Sequence, residues 1–135
     1  MMSGKSDSHG AEILVVDNDT SCRKFLQVLL VRQGYMPIVA ENAERAVDLI
    51  EQAPEAPRLV ITDVFLGKQN GFELVSRIRQ RFKDVKVLFT SGFSEVVLRD
   101  FGFHLDAPFI EKPICMNVMR ATLAGLLEPA VAAAV

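Results

Sequence analysis

The sequence predicts an α/β fold, a doubly wound parallel sheet with helices on both faces. Short apolar runs alternate with segments in which apolar residues recur every three or four positions, and this unit occurs five times. The runs are apolar at nearly every position, as expected for parallel strands that are buried on both faces. This alternation predicts right-handed crossover connections between the strands.

Five apolar runs are predicted to be the strands, namely EILVV, PIVA, RLVIT, VKVLFT and PFIE. The segments between and after them predict five helices. Residues able to cap a helix mark three of the starts: Asp19, Thr20 or Ser21 for the first, Asn42 for the second and Ser94 for the fourth. The segment LGKQNG is predicted to be a loop from its composition.

No linker divides the 135 residues, so one domain is expected. It is predicted over residues 12–128, between a flexible arm at residues 1–11 and a tail at residues 129–135. A chain of this length buries roughly two thirds of its unfolded surface, which suits an ordinary globular core.

Charge and hydropathy argue against two classes of partner. The net charge is −2 with both signs interspersed, so we expect no direct contact with nucleic acid. No apolar run approaches the roughly 20 residues that span a bilayer, so no membrane partner is expected. The start of the chain lacks the apolar stretch of a secretory signal, and Cys22 and Cys115 fit no metal or redox spacing. We therefore expect a reduced, cytoplasmic location.

Polar residues collect where the predicted strands end. Asp17 and Asn18 follow the first strand, Asp63 ends the third, Ser91 ends the fourth and Lys112 follows the fifth. Ligands of open parallel sheets bind outside the carboxyl ends of the strands, so these side chains are expected to meet at one edge.

This set of groups suits a divalent cation and a phosphoryl group. Clustered carboxylates repel one another unless a cation lies among them. Oxygen ligands favour Mg²⁺, or Mn²⁺ in its place. The cation and the ammonium group would neutralise phosphoryl oxygens while the hydroxyl donates a hydrogen bond. One carboxylate could then be the nucleophile that forms an aspartyl phosphate.

The octapeptide ILVVDNDT resembles the first motif of the haloacid dehalogenase-like phosphatases. That resemblance implies Asp17 as the nucleophile and Asp19 as the acid/base, with a hydroxyl from VLFTS and a lysine at Lys112. The family also places an acidic motif after the lysine, and here only Glu128 follows it. Asp63 would have no role. A phosphatase that uses Asp17 stays open as an alternative.

Residues from about Glu12 to Leu127 resemble the receiver domain of bacterial response regulators. Four motifs carry the resemblance, in order and each at a strand end: VVDN, VITD, TSG and EKP. The resemblance implies a flavodoxin-like sheet with the strand order 2-1-3-4-5. The stretch VLFTSGF is most similar to receivers attached to hybrid histidine kinases.

The receiver resemblance implies a role for each residue of the predicted site. Asp63 is the phosphoacceptor, Ser91 rather than Thr90 supplies the hydroxyl, and Lys112 contacts the phosphoryl group. The implied ligands of Mg²⁺ are Asp17, Asn18, Asp63 and the backbone carbonyl of Phe65.

The resemblance also implies partners. The phosphoryl group would come from the phosphohistidine of a histidine kinase or a histidine phosphotransfer protein. The domain would signal through contacts of residues 94–127 with a downstream protein or a second copy, rather than act as a turnover enzyme. A pseudo-receiver, which is a scaffold that never takes phosphate, is the second alternative.

Three positions depart from the usual receiver pattern. Asn18 stands where a second acidic residue is usual, which lowers the charge of the site. Leu66-Gly67 stands where a proline usually stiffens the loop after the phosphoacceptor. Phe109 occupies the switch position, which is often Tyr, and lacks its hydroxyl.

The resemblance also implies that two phenylalanines flank the path of a hydrolysing water molecule. In receivers this path is lined by the residues two beyond the phosphoacceptor and two beyond the hydroxyl, which here are Phe65 and Phe93. Phenyl rings offer no polar group to orient water, so slow hydrolysis is predicted. Phe93 is also placed to pack on Leu98, four residues into the predicted fourth helix.

Overall fold

The computed structural model describes residues 12–127; the predicted arm and tail, and residue 128, lie outside them. The strands are β1 (Glu12–Val16), β2 (Met36–Ala40), β3 (Leu59–Asp63), β4 (Phe65–Leu66), β5 (Gln69–Asn70), β6 (Val87–Ser91) and β7 (Phe109–Glu111). The helices are α1 (Thr20–Arg32), α2 (Ala43–Gln52), α3 (Gly71–Arg81), α4 (Glu95–Asp100) and α5 (Met116–Leu127). None of these described helices is long and apolar enough to cross a membrane.

Five strands form one parallel sheet in the order β2-β1-β3-β6-β7. Numbered among themselves, these strands have the predicted order 2-1-3-4-5, so the doubly wound α/β fold is confirmed. The central strands β3 and β6 are buried at every position, which accounts for their continuous apolar runs. Pro37 lies in the edge strand β2, where a residue without an N–H group is tolerated.

The segment predicted as a loop contains a short antiparallel hairpin instead. Phe65 pairs with Asn70 and Leu66 pairs with Gln69. At the turn, Gly67 has a φ of 82°, a backbone conformation that glycine adopts without a steric penalty. Strands of two residues are too short to produce a periodic pattern, so the prediction of a plain loop was wrong.

Side-chain caps mark the starts of α1 to α4. Of the three candidates for α1 the structure selects Asp19, whose carboxylate accepts hydrogen bonds from the first turn. Asn42 and Ser94 cap α2 and α4, as predicted. Asn70 and Glu73 form a reciprocal capping box at the start of α3. Each cap of this kind contributes about 1 kcal/mol to stability.

The sheet separates two apolar cores. The core beneath α2, α3 and α4 includes Phe89 and Leu98, and the core beneath α1 and α5 includes Leu26 and Leu123. Burial of one large apolar side chain contributes about 1.5–3 kcal/mol. The two cores therefore hold the strands in register and fix the positions of the polar residues at their carboxyl ends.

Candidate functional site

Four strands bring the predicted site residues to one edge of the sheet. Asp17 follows β1, Asp63 ends β3 and Lys112 follows β7. Ser91 ends β6, and its neighbour Thr90 pairs with Asp63 in the parallel register. All of them except Lys112 are buried.

Lys112 lies between the two carboxylates. Its Nζ donates to Oδ2 of Asp17 at 2.8 Å and to Oδ2 of Asp63 at 2.7 Å. Charge-assisted bonds of this length are the strong class of hydrogen bond. One ammonium group therefore neutralises part of the charge of two carboxylates that the fold places side by side.

The remaining carboxylate oxygens are held unequally. Oδ1 of Asp17 accepts from the N–H of Asp19 at 2.8 Å. Oδ1 of Asp63 accepts from the N–H of Phe65 at 3.4 Å, beyond the usual range for such a bond. Both oxygens of Asp17 are thus firmly bound, whereas Asp63 keeps one oxygen that is weakly bound.

Arg23 is a contributor that the sequence did not reveal. Its Nη1 donates to the backbone carbonyl of Asp17 at 2.7 Å, and its Nη2 donates to Oγ1 of Thr20 at 3.2 Å. The guanidinium group therefore fixes the turn between β1 and α1. A signal was available, since Arg23 lies in the first turn of α1, next to the acidic loop.

Gly71 was also missed, and it limits how the backbone at Asp63 can be placed. A Cβ atom at Gly71 would collide with the carbonyl oxygen of Asp63. Its N–H donates to the carbonyl of Val64 at 2.6 Å. The start of α3 is therefore packed directly against the end of β3. A packing contact of this kind leaves no trace in the pattern of apolar residues.

The two hydroxyls at the end of β6 have different surroundings. Oγ of Ser91 accepts from the N–H of Phe93 at 3.0 Å, which leaves its hydroxyl proton available to donate. Oγ1 of Thr90 is buried and has no hydrogen-bond partner within residues 12–127. The assignment of the functional hydroxyl to Ser91 stays a prediction.

The other predicted site residues lie in different environments. Asn18 is exposed beside Asp17, and Phe109 is half-buried against the core beneath α3. The rings of Phe65 and Phe93 meet edge to face, with 5.5 Å between their centroids and 81° between their planes. Such a pair contributes about 0.5–1.5 kcal/mol beyond the area it buries.

Burial and hydrogen bonding together set the ionisation of the site. Burial raises the pKa of Asp63, and the hydrogen bond and charge of Lys112 offset only part of this effect. Burial opposes the charge of Lys112, but hydrogen bonds to Asp17 and Asp63 outweigh it and raise its pKa. Burial and then the neighbouring Asp17 raise the pKa of the Cys22 thiol to about 12, so Cys22 is not a thiolate ligand.

The donor set fits a magnesium ion with few protein ligands. Within residues 12–127 there is no cluster of three or more acidic, His or Cys side chains that could hold a metal. Asp17 and Asp63 share Lys112 and supply two carboxylates at one point. Mg²⁺ characteristically binds through one or two carboxylates and keeps several waters, so two carboxylates suffice.

An open groove of about 510 Å³ lies beside the site, between α1 and the segment after β7. Phe25 of α1 and Ile114 form part of its apolar wall, and Lys112 lies in its lining. The groove therefore joins an apolar surface to the charged centre.

Comparison with known proteins decides the family. A family model described as the response regulator receiver domain matches residues 13–124. The chain belongs to the response regulator receiver domain family. The receiver domain is 30% identical over 118 residues to the transcriptional regulatory protein CpxR of Escherichia coli (strain K12), covering 87% of this chain and 49% of CpxR. It spans about half the length of the curated relatives it matches.

Solved structures support the same fold. The receiver domain of the hybrid histidine kinase CckA aligns with a TM-score of 0.74 at 24% identity, covering 87% of this chain and 99% of that one. The response regulator TrrA of Thermotoga maritima, solved in complex with Mg²⁺-BeF, aligns with a TM-score of 0.72 at 27% identity over 87% of this chain and 99% of TrrA. The receiver resemblance inferred from the sequence is confirmed.

The raised pKa of Asp63 predicts how stability depends on pH. The folded state binds the Asp63 proton more tightly than the unfolded chain does, so this residue reduces stability as the pH rises from about 4 through the folded pKa. Asp63→Asn removes this loss. We expect the variant to be more stable than the wild type at pH 7, with a difference that shrinks towards pH 4.

Chemical denaturation between pH 4 and pH 8 measures this difference. Asp48→Asn, at an exposed position of α2, is the matched control. If the wild type gained stability relative to Asp63→Asn as the pH rises, the pKa of Asp63 would not be raised in the folded state.

Proposed function

We propose that the receiver domain takes a phosphoryl group from a phosphohistidine onto Asp63 and signals through protein contacts. The observation that carries this proposal is the position of Lys112, which bridges Asp17 and Asp63 while Oδ1 of Asp63 keeps only one long hydrogen bond. A buried carboxylate with one weakly bound oxygen next to a cation is suited to attack phosphorus.

The phosphoryl transfer needs no reactant other than Asp63 and the phosphohistidine. An oxygen of Asp63 forms a bond to phosphorus as the bond from phosphorus to the imidazole nitrogen breaks, and the imidazole leaves with the electron pair of that bond. Lys112 contacts the phosphoryl oxygens and Ser91 donates its hydroxyl proton to one of them, so charge on the transferring group is stabilised.

Asp17, Asp63, Asn18 and the backbone carbonyl of Phe65 would hold Mg²⁺, or Mn²⁺ in its place. The bound ion supplies positive charge that draws the phosphoryl group and the carboxylates together. Arg23 and Lys112 position Asp17 for this role through its carbonyl and its Oδ2. Asn18 contributes an oxygen without a charge, so the site has one formal charge fewer than is usual in receivers.

The phosphohistidine donor is a histidine kinase or a histidine phosphotransfer protein. The groove between α1 and the segment after β7 supports this choice, because an apolar surface next to Lys112 would let a partner helix approach Asp63. The exposed side chains of Phe25 and Val28 extend the apolar surface along α1.

The output is a contact with another protein. Residues 94–127 carry exposed apolar side chains, which are Val96, Phe101, Met116 and Val118. A downstream protein or a second copy of the domain binds there. We place the domain in the cytoplasm and expect no direct contact of these residues with nucleic acid, although CpxR is named a transcriptional regulatory protein. The domain takes and loses phosphate without turning over a substrate.

Phosphorylation with acetyl phosphate and Mg²⁺ tests the nucleophile. We expect the intact mass to rise by one phosphoryl group, located on Asp63. Asp63→Asn should take none, because the amide keeps the shape of the side chain and removes its nucleophilic charge. Asp17→Asn should slow the reaction without moving the adduct. An adduct on Asp17 would favour a phosphatase, and no adduct in the wild type would favour a scaffold.

Asn18→Asp tests the metal site. A carboxylate at this exposed position adds attraction for Mg²⁺, and we expect affinity to increase about tenfold, equivalent to about 1.4 kcal/mol. Gln80→Glu adds the same charge near the far end of α3 and is the control. A titration in which both variants bind Mg²⁺ like the wild type would place Asn18 outside the metal site.

The edge-to-face pair of Phe65 and Phe93 predicts slow hydrolysis of the aspartyl phosphate, because neither ring can orient a water molecule. Phe65→Asn and Phe93→Glu should each speed the decay of phosphorylated protein, by up to about a hundredfold. Val96→Glu, an exposed residue of α4, controls for the added charge. Decay at the wild-type rate in both test variants would make the rings purely structural.

A further inference from the structure

Six phenylalanines form a continuous aromatic cluster that runs from the core to the surface. Phe65 meets Phe93 at 5.5 Å and Phe103 at 5.7 Å between ring centroids. Phe93 meets Phe101 edge to face, with 5.9 Å between the ring centroids. On the inner side Phe103 stacks on Phe72 at 5.1 Å, and Phe72 contacts the fully buried Phe89 at 4.6 Å. All these separations lie within the range of attractive ring contacts.

The cluster is attached to the site through two backbone groups. The N–H of Phe65 donates to Oδ1 of Asp63, and the N–H of Phe93 donates to Oγ of Ser91. Asp63 and Ser91 are the side chains that would hold a phosphoryl group. Phosphorylation would therefore change the hydrogen-bond acceptors of both Phe65 and Phe93, whose rings are in contact.

The outer end of the cluster holds α4 and the residues that follow it. Within α4 only Leu98 is buried. The N–H groups of Phe101 and Phe103 donate back into the helix, to the carbonyls of Val97 and Leu98. Residues 93–103 thus form a compact unit whose attachment to the domain rests largely on Leu98 and on the rings at its two ends. A unit with so little buried surface is expected to have low local stability.

We propose that the aromatic cluster couples the phosphorylation state of Asp63 to the packing of residues 93–103. Phe65 is central to this coupling, because its ring contacts both Phe93 and Phe103. This inference rests on the proposed function and specifies how it reaches the surface. Within residues 12–127, Phe109 makes no ring contact with the cluster. Phe109 pairs with Phe89 through the β6–β7 register and packs on the same core, so the proposed route does not run through the ring of Phe109 even though its backbone adjoins the cluster.

Amide hydrogen exchange across residues 93–103 tests the coupling. The full chain is measured with and without acetyl phosphate and Mg²⁺, and the intact mass reports the phosphorylated fraction. We expect phosphorylation to change exchange rates in this segment by about fivefold or more, the lower limit of a typical coupling between sites. The double variant Phe101→Leu/Phe103→Leu keeps apolar bulk but removes the ring contacts, and should lose most of this response while still taking phosphate.

Two variants with a ring removed outside the cluster are compared with the double variant. Phe109→Leu should keep the response, and Phe82→Leu, at the end of α3 and outside the cluster, controls for loss of a ring. If the double variant does not fold, Phe101→Leu alone decides, because Phe101 is 58% exposed. A full response in Phe101→Leu/Phe103→Leu overturns the inference. So does a response that is lost in Phe109→Leu but kept in the double variant. Phosphorylation without any response in the wild type also overturns it, and absence of an adduct overturns the proposed function together with it.

Discussion

The ammonium group of Lys112, shared between Asp17 and Asp63, is the interaction on which the site depends. The parallel sheet places two buried carboxylates at neighbouring strand ends, where they repel each other and lose hydration. Without Lys112 the two carboxylates would face each other with no cation between them, so its ammonium group offsets a repulsion that the fold itself creates. Asp63 keeps one weakly bound oxygen beside this bridge, and its proposed role as phosphoacceptor rests on that feature.

Each layer of the structure contributes to that arrangement. The two cores hold β1, β3, β6 and β7 in register, Gly71 allows α3 to approach the end of β3, and Arg23 fixes the turn after β1. On one side of the site lies the apolar groove beside α1, which under the proposed function receives the phosphoryl donor. On another side the aromatic cluster leads from Phe65 to α4. The charged centre thus lies between the apolar groove beside α1 and the aromatic cluster that ends at α4.

The sequence predicted the sheet, the helices and the meeting of Asp17, Asp63, Ser91 and Lys112, because strand burial and strand ends follow from local pattern. It also predicted the Asn42 and Ser94 caps, which depend on neighbouring residues alone. It did not predict the hairpin of β4 and β5, whose strands have two residues each. Nor did it predict the collision that requires Gly71 or the ring contacts of Phe103, since these depend on how the elements pack against each other and not on the local pattern.

Binding of beryllofluoride with Mg²⁺, followed by ¹⁹F NMR, tests the central claim most directly. This anion takes the place of a phosphoryl group when a carboxylate oxygen completes the tetrahedron around beryllium. If Asp63 is the acceptor beside Lys112, the wild type should show bound fluorine resonances that require Mg²⁺ and disappear in Asp63→Asn. Bound resonances that persist in Asp63→Asn, or a wild type that shows none, would contradict the account.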